Sequence, residues 1–399
     1  MNTYRNMLVA FFFSEFSATV YFITITWILY EQTNNALYTG VLVSIGFLPG
    51  LLLNLLFGVF VDRFQRKKLA IIALSFGTAA IAALLLGSLL FGFLPFVIIA
   101  VHMAVQVSGS LFRPAVQALI AEVFQKEDLP KVFSKTSSFS IIGGIVGASI
   151  GGFLLAFIGG HATLIIVIIG YAIAIIGLMF VPYDSTKIEK EDTKTNSIFI
   201  DLKNGFQYLN RHRFLLSLFF VMFNGQLVFH TSLGFLSVYT LEYLKKTATT
   251  YGFLDVCFSL GGVLAGIFGS LWWSKTKNKF AVYALMITML GLGAIGYSRY
   301  VWVSFIGVFL VGIGTTWIRV LMQAVQQMAT EKAYHGRMAS YRMICNQGAV
   351  VLSGPILGWI SASYGSNIVY VSLMLPIVLC ILFAYYLAKN EHFKEITSR

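Results

Sequence analysis

The sequence predicts an all-α membrane protein of twelve transmembrane helices arranged as two bundles of six. Three observations predict it. Of 399 residues, 58% are hydrophobic and only 11% are charged, more apolar surface than a water-soluble chain of this size hides. The apolar residues fall into twelve runs, each near the roughly 20 residues that a bilayer requires. The chain also repeats itself weakly at an offset of 206, which superposes Arg5 on Arg211, Arg113 on Arg319, Gln117 on Gln323, Ala118 on Ala324, Lys126 on Lys332 and Gly152 on Gly358.

In chain order the runs are 7–30, 36–61, 69–91, 95–119, 133–157, 161–181, 214–237, 250–272, 280–298, 301–326, 338–361 and 366–388. Met7–Tyr30 is too long for the apolar core of a cleaved signal and has no small-residue cleavage site after it, so it is expected to stay as the first span. The one long polar interruption is Pro182–Arg213. It starts as a charged linker and becomes Ile198–Leu209, whose apolar face fits a helix lying on the membrane surface. The expected organisation is a first bundle over 1–181, a linker over 182–213, and a second bundle with a short tail over 214–399.

The formal net charge is +12, with 28 Lys and Arg against 16 Asp and Glu. Every cation except Arg113, Lys245, Lys246, Arg299 and Arg319 falls in the N-terminal tail or in loops on one side of the predicted bundles. Such an excess marks the cytoplasmic side, so both termini are expected there and no nucleic-acid partner is expected. Cys257, Cys345 and Cys380 are scattered in apolar segments and read as packing residues. No His, Cys, Asp and Glu group has metal-site spacing.

Between the second and third runs stands Gly58-Val59-Phe60-Val61-Asp62-Arg63-Phe64-Gln65-Arg66-Lys67. It resembles G-x-x-x-D-R-x-x-R-K, the signature loop of the major facilitator superfamily, at Gly58, Asp62, Arg63, Arg66 and Lys67. The resemblance implies the facilitator fold, with substrate held between two repeats at mid-bilayer. It also implies a gating role for this loop, whose charges hold one side shut; the plain reading is a topology signal alone. The second copy, Gly269–Lys279, keeps cations but has Trp273 at the acidic position. Leu48-Pro49-Gly50, Phe112–Ala118, Gly205–His212 and Gly336-Arg337-Met338 look like the branch that contains the enterobactin exporter. His102, Met103 and Gln106 occupy the region where many drug/proton antiporters carry an arginine motif. Gly143–Gly152 is similar to the fifth-helix antiporter motif, with Ala148 where proline is usual.

Charged groups inside a span are costly and mark cavities or partners. Glu15 lies about 14 Å beyond Arg5 along a helix, near mid-membrane, and is the expected proton-coupling residue; the alternatives are an ion pair with Arg113 or a substrate contact. Arg113 and Arg319 sit at equivalent places in the two repeats. A guanidinium stays charged and forks onto carboxylates, so the pair suits an anionic substrate; the alternative is that each braces its own bundle. Asn224, Gln226 and His230 punctuate the seventh run, with Gln226 and His230 four apart on one face. They are candidates to line a cavity or to join helices. His102 and Gln106 form a similar pair, and Asn346 and Gln347 another, with Gln347 the expected substrate contact. Asp255 reads as a surface or capping residue. The glycine runs 143–152 and 261–269 lack the strand and lysine of a phosphate loop and read as close-packing surfaces.

The expected function is secondary active transport: proton-coupled export of a small polar or anionic molecule by alternating access, without a cofactor and driven by the proton gradient. The resemblance points to a carboxylate-bearing metallophore or siderophore, such as staphylopine. Multidrug efflux is the alternative and a lipid flippase the second one. The partners expected are a small-molecule substrate and the lipid bilayer of a bacterial cytoplasmic membrane, with the protein as a monomer.

Overall fold

The computed structural model describes residues 2–125, 128–182, 207–331 and 334–398. Among the described residues every regular element is helical. The first five helices are α1 (Asn2–Thr33), α2 (Ala36–Arg63), α3 (Arg66–Phe91), α4 (Pro95–Val123) and α5 (Leu129–Met179). After the linker come α6 (Arg213–Gly234), a turn at Leu236–Val238 with a π-helix over Tyr239–Tyr243, and then α7 (Ala248–Ile267) and α8 (Gly269–Thr276). The chain ends with α9 (Phe280–Tyr297), α10 (Val301–Ala329), α11 (His335–Tyr364), α12 (Ser366–Lys389) and the short α13 (Glu391–Ser398). Of the surface helix expected at Ile198–Leu209, 198–206 lie outside the described residues, while 207–211 are helical.

Eleven of the described helical stretches are long and apolar enough to cross a bilayer. The longest, Lys135–Met179, contains Gly159 at φ 75°, ψ 173°, a backbone conformation open to glycine at little steric cost. That residue breaks α5 into the two predicted runs, which makes twelve candidate spans among the described residues. Gly365, at φ 100°, separates α11 from α12 in the same way and lies 206 residues further on. The same displacement carries the ends of α4, Pro95 and Val123, onto those of α10, Val301 and Ala329. The repeat read from scattered side chains is therefore also present in helix ends.

The chain forms two compact units, one of 1–189 with 245–256 and one of 190–244 with 257–399. In the first, α1 lies along α5. Gly143, Gly147 and Gly151, spaced one turn apart, face the backbone of Phe12, Phe16 and Val20. Side chains at these places would hold the helices apart, and in a bilayer, where oil offers no drive for apolar association, close backbone packing is a main source of cohesion. In the second unit Gly261 and Gly312 do the same between α7 and α10, against the backbone of Phe309 and Phe258. The first glycine run is a packing surface, whereas in the second Gly261 packs closely and a Cβ at Gly266 or Gly269 would meet nothing within 4 Å among the described residues. Large apolar side chains such as Leu90, Phe96 and Trp302 are exposed, as helices facing lipid require.

Candidate functional site

In the first unit α1 carries Glu15 and α4 carries Arg113, with Nη2 to Oε1 at 3.8 Å. Their side chains are 35% and 74% exposed. At that distance the pair is loose, and neither group is committed to it. Phe12, Phe13 and Phe16 form an aromatic cluster on the same stretch of α1, so the acid stands beside apolar surface. Pro114 directly follows Arg113 inside α4 and removes one helical hydrogen-bond donor there.

In the second unit Arg319 of α10 lies over the Phe229 ring of α6, 3.8 Å from its centroid. Gly225 lets the two helices approach here, because a Cβ would come within 2.7 Å of Ile318 Cγ2, the residue before Arg319. Among the described residues no carboxylate lies within ion-pair distance of Arg319. A desolvated cation–π contact is worth about 2 kcal/mol and leaves the guanidinium's forked donors open. One turn along α6, Gln226 Nε2 and His230 Nε2 are 2.5 Å apart, so the i,i+4 spacing does bring them together. Asn224 is buried, and its amide donates to the Phe220 carbonyl at 2.9 Å. On α11 Gln347 is half-buried with its Oε1 unpartnered, as is Asn346 Oδ1. Arg342 Nη1, one turn earlier, donates to Gln326 Oε1 of α10 at 3.2 Å.

The basic turn joins α2 to α3. The side chains of Gly58, Asp62 and Arg63 lie outside the described residues. Arg66 forms an ion pair with Glu122, in the last turn of α4. Lys67 Nζ donates to the carbonyls of Met179 and Val181, both at 2.7 Å. These are the open carbonyls at the end of α5, where a cation is favoured by the helix dipole. The turn thus ties the start of α3 to the ends of α4 and α5.

Residues 7–245 and 227–398 match the model of the Major Facilitator Superfamily. The chain belongs to the Major Facilitator Superfamily. This facilitator is 22% identical over 382 residues to the "Staphyloferrin A transporter" of Staphylococcus aureus, covering 92% of each chain. It is 22% identical over 356 residues to "Macrolide efflux protein A" of Streptococcus pyogenes, covering 85% of this chain and 86% of the other. Its fold is similar to that of the nucleoside transporter NupG, with TM-score 0.81 at 12% identity, covering 98% of this chain and all of that one.

Within this facilitator, sequence reasoning missed Glu122 and the tyrosines around Glu15. The signal for Glu122 is its place at a helix end near a cluster of cations. Tyr171 interacts electrostatically with both Glu15 and Arg113, yet a tyrosine in an apolar run raises no charge count. Asp255, read as a surface or capping group, is half-buried on α7 one turn from Tyr251, whose hydroxyl is 3.3 Å from Thr26 Oγ1. Among the described residues no group of three or more His, Cys, Asp or Glu could hold a metal.

Proposed function

We propose that this facilitator exports a small anionic molecule in exchange for protons, by alternating access. The observation that carries the reading is Arg319, a cation inside a span with one face on Phe229 and no carboxylate against it among the described residues. A charge at a helix centre costs about 3 kcal/mol on insertion, more than the ring returns, so an anionic substrate supplies the missing interaction. Arg113, in the first unit, is a further guanidinium for substrate contact, and Glu15 is the proton carrier. The relative named for staphyloferrin A supports a carboxylate-bearing metallophore or siderophore of the kind the enterobactin-exporter and staphylopine resemblance suggests. No cofactor is required, because the proton gradient supplies the energy. The basic turn, Gly58, Asp62, Arg63, Arg66 and Lys67, gates the cytoplasmic side, and both termini lie on that side of a bacterial cytoplasmic membrane.

One observation favours multidrug efflux instead: the Phe12, Phe13 and Phe16 cluster beside Glu15 offers aromatic surface to bulky lipophilic cations, and one relative is named for macrolide efflux. Profiling of secreted metabolites separates the two. Cells lacking the protein are expected to retain an anionic solute that wild-type and not Arg319→Ala protein restores to the medium. Loss of drug resistance with an unchanged anion profile would favour the multidrug reading.

A further inference from the structure

Inside the first unit, buried polar atoms without partners gather on adjoining turns of packed helices. His102 of α4 is 2% exposed; its Nε2 lies 3.5 Å from Gln106 Nε2, while its Nδ1 has no hydrogen-bond partner. The Tyr21 ring of α1 stacks on this imidazole at a centroid distance of 6.0 Å and an angle of 22°. The Tyr21 hydroxyl is buried and has no partner. One turn earlier Ser17 is fully buried, its unpartnered Oγ set against Gly170 of α5. The next residue, Tyr171, interacts electrostatically with Tyr21, Glu15 and Arg113. Gly46 of α2 closes the group: a Cβ there would come within 2.8 Å of His102 Nε2 and 3.0 Å of Gln106 Nε2.

An unsatisfied buried polar group costs about 1–3 kcal/mol, and native proteins rarely leave even one without a partner. Here three lie on adjoining turns of α1 and on the α4 imidazole that stacks with Tyr21. They are two hydroxyls and an imidazole nitrogen, each able to donate or accept, which is the partner set that holds an internal water. We propose that Ser17, Tyr21 and His102 enclose a binding site for internal water within the first unit, with Ser17 two residues from Glu15 on α1.

The position gives the site a role. His102 lies about 10 Å along α4 from the helix end opposite the basic turn, and Glu15 lies deeper. A proton entering from that end passes along the chain of hydroxyls and water, each new O–H bond forming as the next one releases its proton, and ends on the Glu15 carboxylate. This role rests on the coupling reading above; the hydration does not.

X-ray hydroxyl-radical footprinting of the full chain in lipid nanodiscs, in ¹⁸O-labelled water, tests the proposal without a substrate. Tyr239 and Tyr370 are also buried, and their hydroxyls are hydrogen-bonded to protein. Tyr21 and Tyr171 are expected to incorporate label about tenfold faster than these two, as side chains touching bound water do. Equal, background-level labelling of all four overturns the water site. His102→Phe, with labelling of exposed Tyr300 unchanged as the sign of a folded protein, is expected to lower Tyr21 labelling; unaltered labelling overturns the role of His102. A dry Tyr21 beside a Glu15→Gln protein that has lost coupling overturns the water site alone. A hydrated Tyr21 with fully coupled Glu15→Gln overturns only the coupling.

Discussion

Arg319 rests 3.8 Å above the centre of the Phe229 ring, with its stem passing the bare Cα of Gly225. A flat guanidinium is suited to this arrangement, since it stacks on the ring and still offers its edge donors to an anion. Lysine keeps the charge and loses both features. Arg319→Lys is therefore expected to raise the half-saturating substrate concentration about tenfold or more, the equivalent of losing one desolvated cation–π contact. Phe229→Leu is expected to act in the same direction and more weakly. Transport assays at varied substrate concentration check both, and unchanged saturation in Arg319→Lys removes Arg319 from the site.

The Arg66–Glu122 pair is the second relationship to measure. Its side chains are 20% and 26% exposed, so the interaction is less screened than a surface pair. A double-mutant cycle with Arg66→Gln and Glu122→Gln is expected to give a coupling of about 1 kcal/mol in thermal stability in detergent. Additive losses would show that the two groups act separately.

Lys67 binds carbonyls that end α5, a role in which the ammonium serves as a cap. Lys67→Met is expected to lower stability by about 1 kcal/mol and to loosen the junction before the linker, read as faster proteolysis just after Val181. Unchanged cleavage there would leave Lys67 with a topological role only.

The glycines of α5 divide by what a methyl group would meet. At Gly147 a Cβ falls 2.8 Å from the Phe16 carbonyl oxygen, whereas at Gly144 the nearest atom is Thr19 Oγ1 at 3.7 Å. Gly147→Ala is expected to reduce the yield of monodisperse protein on size exclusion, because backbone on α1 has to move. Gly144→Ala is expected to leave it unchanged, and equal losses would show that packing along this stripe does not depend on the bare backbone.

The helical spans and their repeat were legible in the sequence because a bilayer admits few solutions: apolar runs of fixed length, and cations held on one side. The break at Gly159 was legible as a gap between two apolar runs. Gln226 and His230 meet because i,i+4 spacing is a local property of one helix. Partners contributed by different helices were not legible. Arg66 meets Glu122 and Lys67 meets the end of α5 only after three helices have packed, and Tyr171 comes to Glu15 from more than 150 residues away. Tyr21, Ser17 and His102 look like ordinary packing in apolar runs until their buried polar atoms are found without partners.

The central claim is that Glu15 couples export to protons. Its most direct measurement uses inverted membrane vesicles and the anionic solute identified by metabolite profiling. With an imposed pH gradient, acid inside, wild-type protein is expected to accumulate the solute against its own gradient. Glu15→Gln is expected to equilibrate it without accumulation. Undiminished uphill accumulation by Glu15→Gln, collapsing when the pH gradient is removed, would contradict the account.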